Sequence, residues 1–168
     1  MYGCDNPRDI DRQDEYMNVY LPMTIEKNNI LQHVPLIYND VNFLELEGLN
    51  FSKDTTFVLG AYCAGTNFTS QDVSVDFSLA NDILLSLQSK PVPQAAYQLL
   101  PESYYTVNSW NQSITKGETN CYMNIELKLT QLPAGSHFIL PVKVDKVSKY
   151  NIDPEKSFIL LGISKPSK

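Results

Sequence analysis

The chain is short of the residues that most enzyme and nucleic-acid chemistries need. It has 2 histidines, His33 and His137, separated by most of its length, and they lack the spacing of a metal site. With 7 glycines in 168 residues there is little material for a phosphate-cradling loop, and no G-x-S-x-G or H-E-x-x-H motif occurs. Basic residues are outnumbered, 13 against 19 acidic, and they are scattered, so the net charge of −6 argues against a nucleic-acid partner. No segment approaches the roughly 20 apolar residues of a membrane span. The acidic pairs Asp14-Glu15 and Glu45/Glu47 read as solvated charges. The reading is of a protein that is not an enzyme and needs neither cofactor nor metal.

Cysteines number 3, an odd set for an exported protein. The opening Gly3-Cys4-Asp5 has the pattern of a bacterial lipoprotein processing site, in which a small residue precedes a cysteine that becomes the acylated N-terminus. Cys4 is therefore the candidate lipidation site, with Met1 a start set after a trimmed signal. Acylation would remove one thiol and leave Cys63 and Cys121. Both lie on the inward parity of their strands, as buried thiols or as a disulfide pair. Residues 1–15 are polar and charged, a solvated tether. Residues 16–168 are read as one β-sandwich domain.

Alternation at period 2 dominates from Tyr16 onward. Met17, Val19, Leu21, Met23 and Ile25 share one face, as do Phe57, Leu59, Ala61 and Cys63. Val73, Val75, Phe77 and Leu79 form another set. Cys121, Met123, Ile125, Leu127 and Leu129 make the clearest amphipathic strand, followed by Phe138, Leu140, Val142 and Val144, and by a terminal strand over Phe158 to Ile163. Weaker strand patterns cover residues 35–38, 43–47, 104–107 and 112–115. Turn signals at Gly48, Gly65, Lys116-Gly117, Pro133-Ala134-Gly135 and Asp153-Pro154 separate them. The pattern predicts an all-β, immunoglobulin-like antiparallel sandwich enclosing Val19, Leu21, Phe57, Leu59, Val75, Phe77, Ile125, Leu127, Leu140 and Val142. A short helical insert is expected over residues 79–87, capped by Asn81 or Asp82 and ended by Pro91 and Pro93.

Three phrases in the second half are consecutive: Tyr97-Gln98-Leu99-Leu100-Pro101 with Tyr104-Tyr105, then Ile114-Thr115-Lys116-Gly117, then Gly135 to Val144 (GSHFILPVKV). Together they resemble the N-terminal immunoglobulin-like domain, domain of unknown function 1735, of Bacteroidetes surface lipoproteins. The resemblance covers about Val19 to Ile163, and its motifs are structural. It implies a lipid-anchored protein of the outer membrane, displayed at the cell surface. It also implies membership of a polysaccharide-capture system, with oligosaccharide or outer-membrane transporter components as partners. In that family the sandwich is commonly followed by a lectin-like or glycoside hydrolase domain.

Glycan binding asks for planar aromatic faces beside amides and carboxylates. The stretch YYTVNSWNQ supplies Tyr104, Tyr105, Asn108, Trp110 and Asn111, and outward parity adds Tyr62 and Tyr122. Trp110 suits either a sugar-facing or a core position. The expected role is a non-catalytic accessory glycan-binding or spacer module. The alternative is a protein-interaction or adhesin module that pairs through its sheet edges.

Overall fold

The computed structural model describes residues 17–21, 26–27, 30–31, 36–38, 41–65 and 68–167. In chain order the strands are β1 (Asn18–Tyr20), β2 (Glu26–Lys27), β3 (Ile30–Leu31), β4 (Leu36–Tyr38), β5 (Val41–Glu45), β6 (Thr55–Ala64) and β7 (Val73–Leu79). Helix α1 (Asn81–Gln88) follows. Then come β8 (Gln98–Leu99), β9 (Tyr105–Val107), β10 (Asn111–Ile114), β11 (Asn120–Leu127), β12 (His137–Val147), β13 (Asn151–Ile152) and β14 (Phe158–Ser164). Cys4, the tether, His33 and residues 22–25 of the expected first strand lie outside the described residues.

Two sheets pack face to face as a sandwich. One has the order β13-β1-β6-β11-β9; the other has β10-β7-β12-β14-β5-β4, with β8 beside β12, while β2 and β3 form a separate pair. The expected all-β sandwich is borne out; most strand pairs are antiparallel, and each large sheet also includes at least one parallel pair. The pairs β1/β13, β12/β8 and β14/β5 run parallel. Each of the three joins strands separated by a long stretch of chain, as parallel neighbours require. No turn signal in the sequence announces such a pairing.

All ten residues expected inside are buried in one core that takes side chains from both sheets. Strand β11 shows why the pattern was readable: Cys121, Met123, Ile125 and Leu127 are buried while Tyr122, Asn124 and Glu126 are exposed. Burial of one face and hydration of the other is what period 2 achieves in a pleated strand. The strand ends at Leu127, two residues before the predicted limit, and Leu129 begins a 3-10 turn while remaining buried.

Strands β12 and β14 lose this alternation because their sheet is covered on both faces. Phe138 to Val142 and Ile159 to Ile163 are buried without a break. Outside them, Leu84 and Leu87 of α1 and Val92 form a second apolar cluster with Phe43, Ile139 and Leu160. The sequence reads as a continuous apolar run for that reason. Helix α1 starts two residues later than expected. Its N-cap is Ala80, with no side-chain cap, while Asp82 sits inside the first turn, where its charge favours the helix dipole. Among the described residues the outer face of the other sheet is solvated, as the exposed Tyr122, Asn124 and Glu126 of β11 show.

Candidate functional site

The aromatic and amide residues expected to form one surface are divided by the fold into two places and a set of structural contacts. Strand pairing decides the division. Tyr105 stands opposite Leu127, and Val107 opposite Ile125, in the β9/β11 ladder. Since Ile125 and Leu127 point inward, Tyr105 and Val107 do too. Tyr105, expected with the exposed aromatics, is instead 8% exposed and part of the core. Burial, and secondarily the Glu102 charge, raises its pKa.

The amides are committed to the fold. Asn108 prolongs the β9/β11 pairing: its N–H donates to the Asn124 carbonyl (3.2 Å), and its Oδ1 accepts from the Asn124 N–H (3.1 Å). The Asn111 amide donates across to β7, to Ser74 Oγ at 2.7 Å and to Asp76 Oδ1. Tyr104 is half-buried, its ring 5.9 Å from that of Phe138.

Trp110 occupies the crossover from β9 in one sheet to β10 in the other. Its carbonyl accepts from the Phe77 N–H at 2.7 Å, and its indole is half-buried with one side packed against the core. The rest of it lines a cleft of about 570 Å³ shared with Phe77, Ser78, Leu79, Glu102, Tyr105 and Val107. The indole is thus neither wholly in the core nor wholly on the surface.

Tyr62 and Tyr122 do come together, on the open face of the β13-β1-β6-β11-β9 sheet. Their rings meet edge to face at 6.3 Å and 87°, with the two hydroxyls 3.2 Å apart. Tyr20 stands directly opposite Tyr62 on β1, ring to ring at 6.3 Å. The row thus crosses three adjacent strands, and Lys156 Nζ lies 5.7 Å from the centre of the Tyr20 ring. Hydrogen bonding to Tyr122, then burial, pushes the Tyr62 pKa up to about 12. A groove of about 410 Å³ borders the row, lined by Tyr20, Tyr62, Cys63, Ala64, Gly65, Phe68 and Thr119. Phe68 is 70% exposed. Tyr20 and Phe68 were absent from the expected site. Tyr20 was legible as an outward position beside Val19; Phe68 carried no signal in the sequence.

Cys63 and Cys121 are both buried thiols, not a disulfide. Cys121 stands opposite Ala61, and the Cys63 N–H donates to the Thr119 carbonyl, so the two share a face on a diagonal of adjacent strands. Such diagonals separate residues by roughly 7–8 Å, beyond the ~4.4–6.8 Å Cα spacing of a bridge.

One polar cluster escaped the sequence reading. His137 Nδ1 lies 2.8 Å from Ser164 Oγ, which is 3.1 Å from the Tyr97 hydroxyl, and that hydroxyl donates to Glu45 Oε2 at 3.2 Å. Every hydroxyl there is engaged within the cluster. The arrangement pins the segment after α1 onto β14 and β5.

A family model described as a "-like, N-terminal domain" matches residues 16–151. No curated protein matches the chain. Among solved structures, a candidate carbohydrate binding protein from Bacteroides ovatus ATCC 8483 is 20% identical, with a TM-score of 0.59, over 89% of this chain and 37% of its own. A multidomain protein including DUF1735, also from Bacteroides ovatus, is 17% identical with a TM-score of 0.62, over 86% of this chain and 44% of its own. EndoBT-3987 from Bacteroides thetaiotamicron, solved with a Man5GlcNAc product, is 13% identical with a TM-score of 0.52, over 75% of this chain and 28% of its own. At these identities the likeness is one of fold. The chain spans less than half the length of each of these three.

Proposed function

Because the chain belongs to the N-terminal-domain family whose model spans residues 16–151, we propose that it is a non-catalytic, glycan-binding accessory module of a lipid-anchored cell-surface protein. The observation that carries this reading is the row of Tyr20, Tyr62 and Tyr122 on a sheet face that no described residue covers. Aromatic rings on a flat, rigid sheet stack on the apolar faces of sugars, and their hydroxyls bond the sugar rim. Binding is expected to be weak, since a shallow face buries little ligand and desolvating hydroxyls is costly. The fold likeness to a candidate carbohydrate binding protein supports the same assignment. The test is retention on a panel of soluble and insoluble polysaccharides. Wild-type protein should be retarded by at least one of them, and Tyr62→Ala together with Tyr122→Ala should sharply reduce the retardation. No retardation by any glycan would sink the reading.

Anchoring through Cys4 places the module at the outer membrane surface, where oligosaccharide or transporter components would meet it. In the native host, Cys4→Ala should release the protein from the membrane fraction. Pairing through sheet edges is the weaker alternative, because β13 has 2 residues and β9 has 3, too short to template a long partner strand.

A further inference from the structure

The cleft under Trp110 exists because β10 covers only part of β7. Their register runs from Ile114 opposite Val73 to Asn111 opposite Asp76. One further bond, from the Phe77 N–H to the Trp110 carbonyl, closes the ladder. The chain then leaves for the other sheet, where Asn108 pairs with Asn124. Beyond that point Ser78 and Leu79 line, together with Tyr105 and Val107 of β9, a cleft of about 570 Å³. That volume falls inside the range of roughly 300–1,000 Å³ typical of small-molecule sites.

Tyr105 gives the cleft its chemistry. It is 8% exposed and lines the cavity, yet its hydroxyl has no hydrogen-bond partner among the described residues. A hydroxyl that faces a cleft with no protein partner is free to bond whatever occupies the cleft. Glu102, exposed at the rim, offers a carboxylate that only accepts, and Ser78 offers a hydroxyl. Apolar surface from Phe77, Leu79, Val107 and the half-buried indole of Trp110 completes the lining. No lysine or arginine is among the lining residues, and the only charged one is acidic.

We propose that this cleft is a second binding site, distinct from the tyrosine row, that holds one neutral sugar ring. Trp110 stacks on its face, the Tyr105 hydroxyl donates to a ring substituent, and Glu102 accepts from a hydroxyl at the rim. A uronic acid or sulfated sugar is disfavoured by the Glu102 carboxylate. The row on the sheet face binds along a chain, whereas this cleft takes a single residue. The choice of a sugar as occupant rests on the proposed glycan-binding role; the unsatisfied hydroxyl stands without it.

Trp110 is the sole tryptophan, 1 in the chain, so all tryptophan emission comes from a residue that lines the cleft. The experiment titrates wild type, Tyr105→Phe, Glu102→Gln and Tyr62→Ala with glucose, mannose, galactose and their neutral oligosaccharides. Retention on neutral polysaccharides is measured in parallel. A saturable change in emission is expected for wild type and for Tyr62→Ala, weakened at least fivefold by Tyr105→Phe and by Glu102→Gln. Retention of the protein on a glycan with silent Trp110 emission overturns the cleft and leaves the proposed function standing. An emission change indifferent to Tyr105→Phe and Glu102→Gln also overturns it, as does silence toward every sugar. A sugar-free readout is the melting temperature of Tyr105→Phe. It should be unchanged or higher, because the substitution removes a hydroxyl that has no partner; a fall of several degrees would show that the hydroxyl is already satisfied and would overturn the site.

Discussion

Tyr122 lies across the bare backbone of Gly60, its directly opposed partner in the β6/β11 ladder. A Cβ built on Gly60 would come within 2.9 Å of Tyr62 Cε2 and 3.2 Å of Tyr122 Cε1. The absent side chain is what lets the two rings close over the strand and meet edge to face. The atoms in the way belong to side chains that can swing outward, so the fold itself is not at stake.

Gly60→Ala should therefore separate structure from binding. The backbone there needs no positive φ, and reduced freedom of the unfolded chain favours alanine by about 0.4–1 kcal/mol. Displacing the rings offsets this. Stability by denaturant unfolding is expected to stay within about 1 kcal/mol of wild type, while glycan retention at the row falls. Unchanged retention would mean that the edge-to-face pair is not the binding element.

The same pair predicts a distinctive alkaline response. The folded-state pKa of Tyr62 is raised from 10.0 to about 12, first by its hydrogen bond to Tyr122 and then by burial. Below pH 10 the phenol is neutral in both folded and unfolded chains, and the stabilisation is complete. Between pH 10 and 12 the unfolded chain ionises first, so stability is lost as pH rises through that window. Ultraviolet titration should find late-ionising tyrosine absorbance that is reduced in Tyr62→Phe and shifted to lower pH in Tyr122→Phe. A Tyr122→Phe curve identical to wild type would remove the hydrogen bond as the cause.

Core energetics follow from the clearest stretch of the sequence. Ile125 is 0% exposed and Leu127 is 2% exposed, on the inward face of β11. Ile125→Ala and Leu127→Ala should each cost about 2–5 kcal/mol in chemical denaturation. Losses under about half a kcal/mol at both positions would contradict the burial. Glu126→Ala, on the exposed parity between them, should change stability by no more than about 0.5 kcal/mol.

What could be read in advance depended on how each face is solvated. Sheet β13-β1-β6-β11-β9 has one wet face, so Phe57, Leu59, Met123 and Ile125 announced their side by alternation. Under α1 both faces are dry, so Phe138 to Val142 signalled a strand but not what covers it. Tyr104 and Tyr105 show the harder limit. A 3-10 turn over Glu102–Tyr104 precedes β9, and only the register with Leu127 turns Tyr105 inward. Register between distant strands is a tertiary fact, and no local pattern in YYTVNSWNQ encodes it. The tyrosine row was half legible for the same reason: parity put Tyr62 and Tyr122 outside, but their meeting depends on the Gly60 pairing.

The two buried thiols supply the last prediction. Desolvation pushes the Cys121 thiol up to about 11, only partly offset by a backbone hydrogen bond with Ala61, so almost none is thiolate near neutral pH. Cys63 is 2% exposed on the neighbouring strand. In protein carrying Cys4→Ser, a thiol reagent at pH 8 should label neither residue in the native state and both once guanidinium unfolds the chain. Reducing agent should leave the melting temperature unchanged, because no bond between the strands contributes to it. Two unreactive cysteines in guanidinium, restored by reductant with a matching fall in melting temperature, would instead mean that the strands shift in register far enough to bring the diagonal pair within bridging distance.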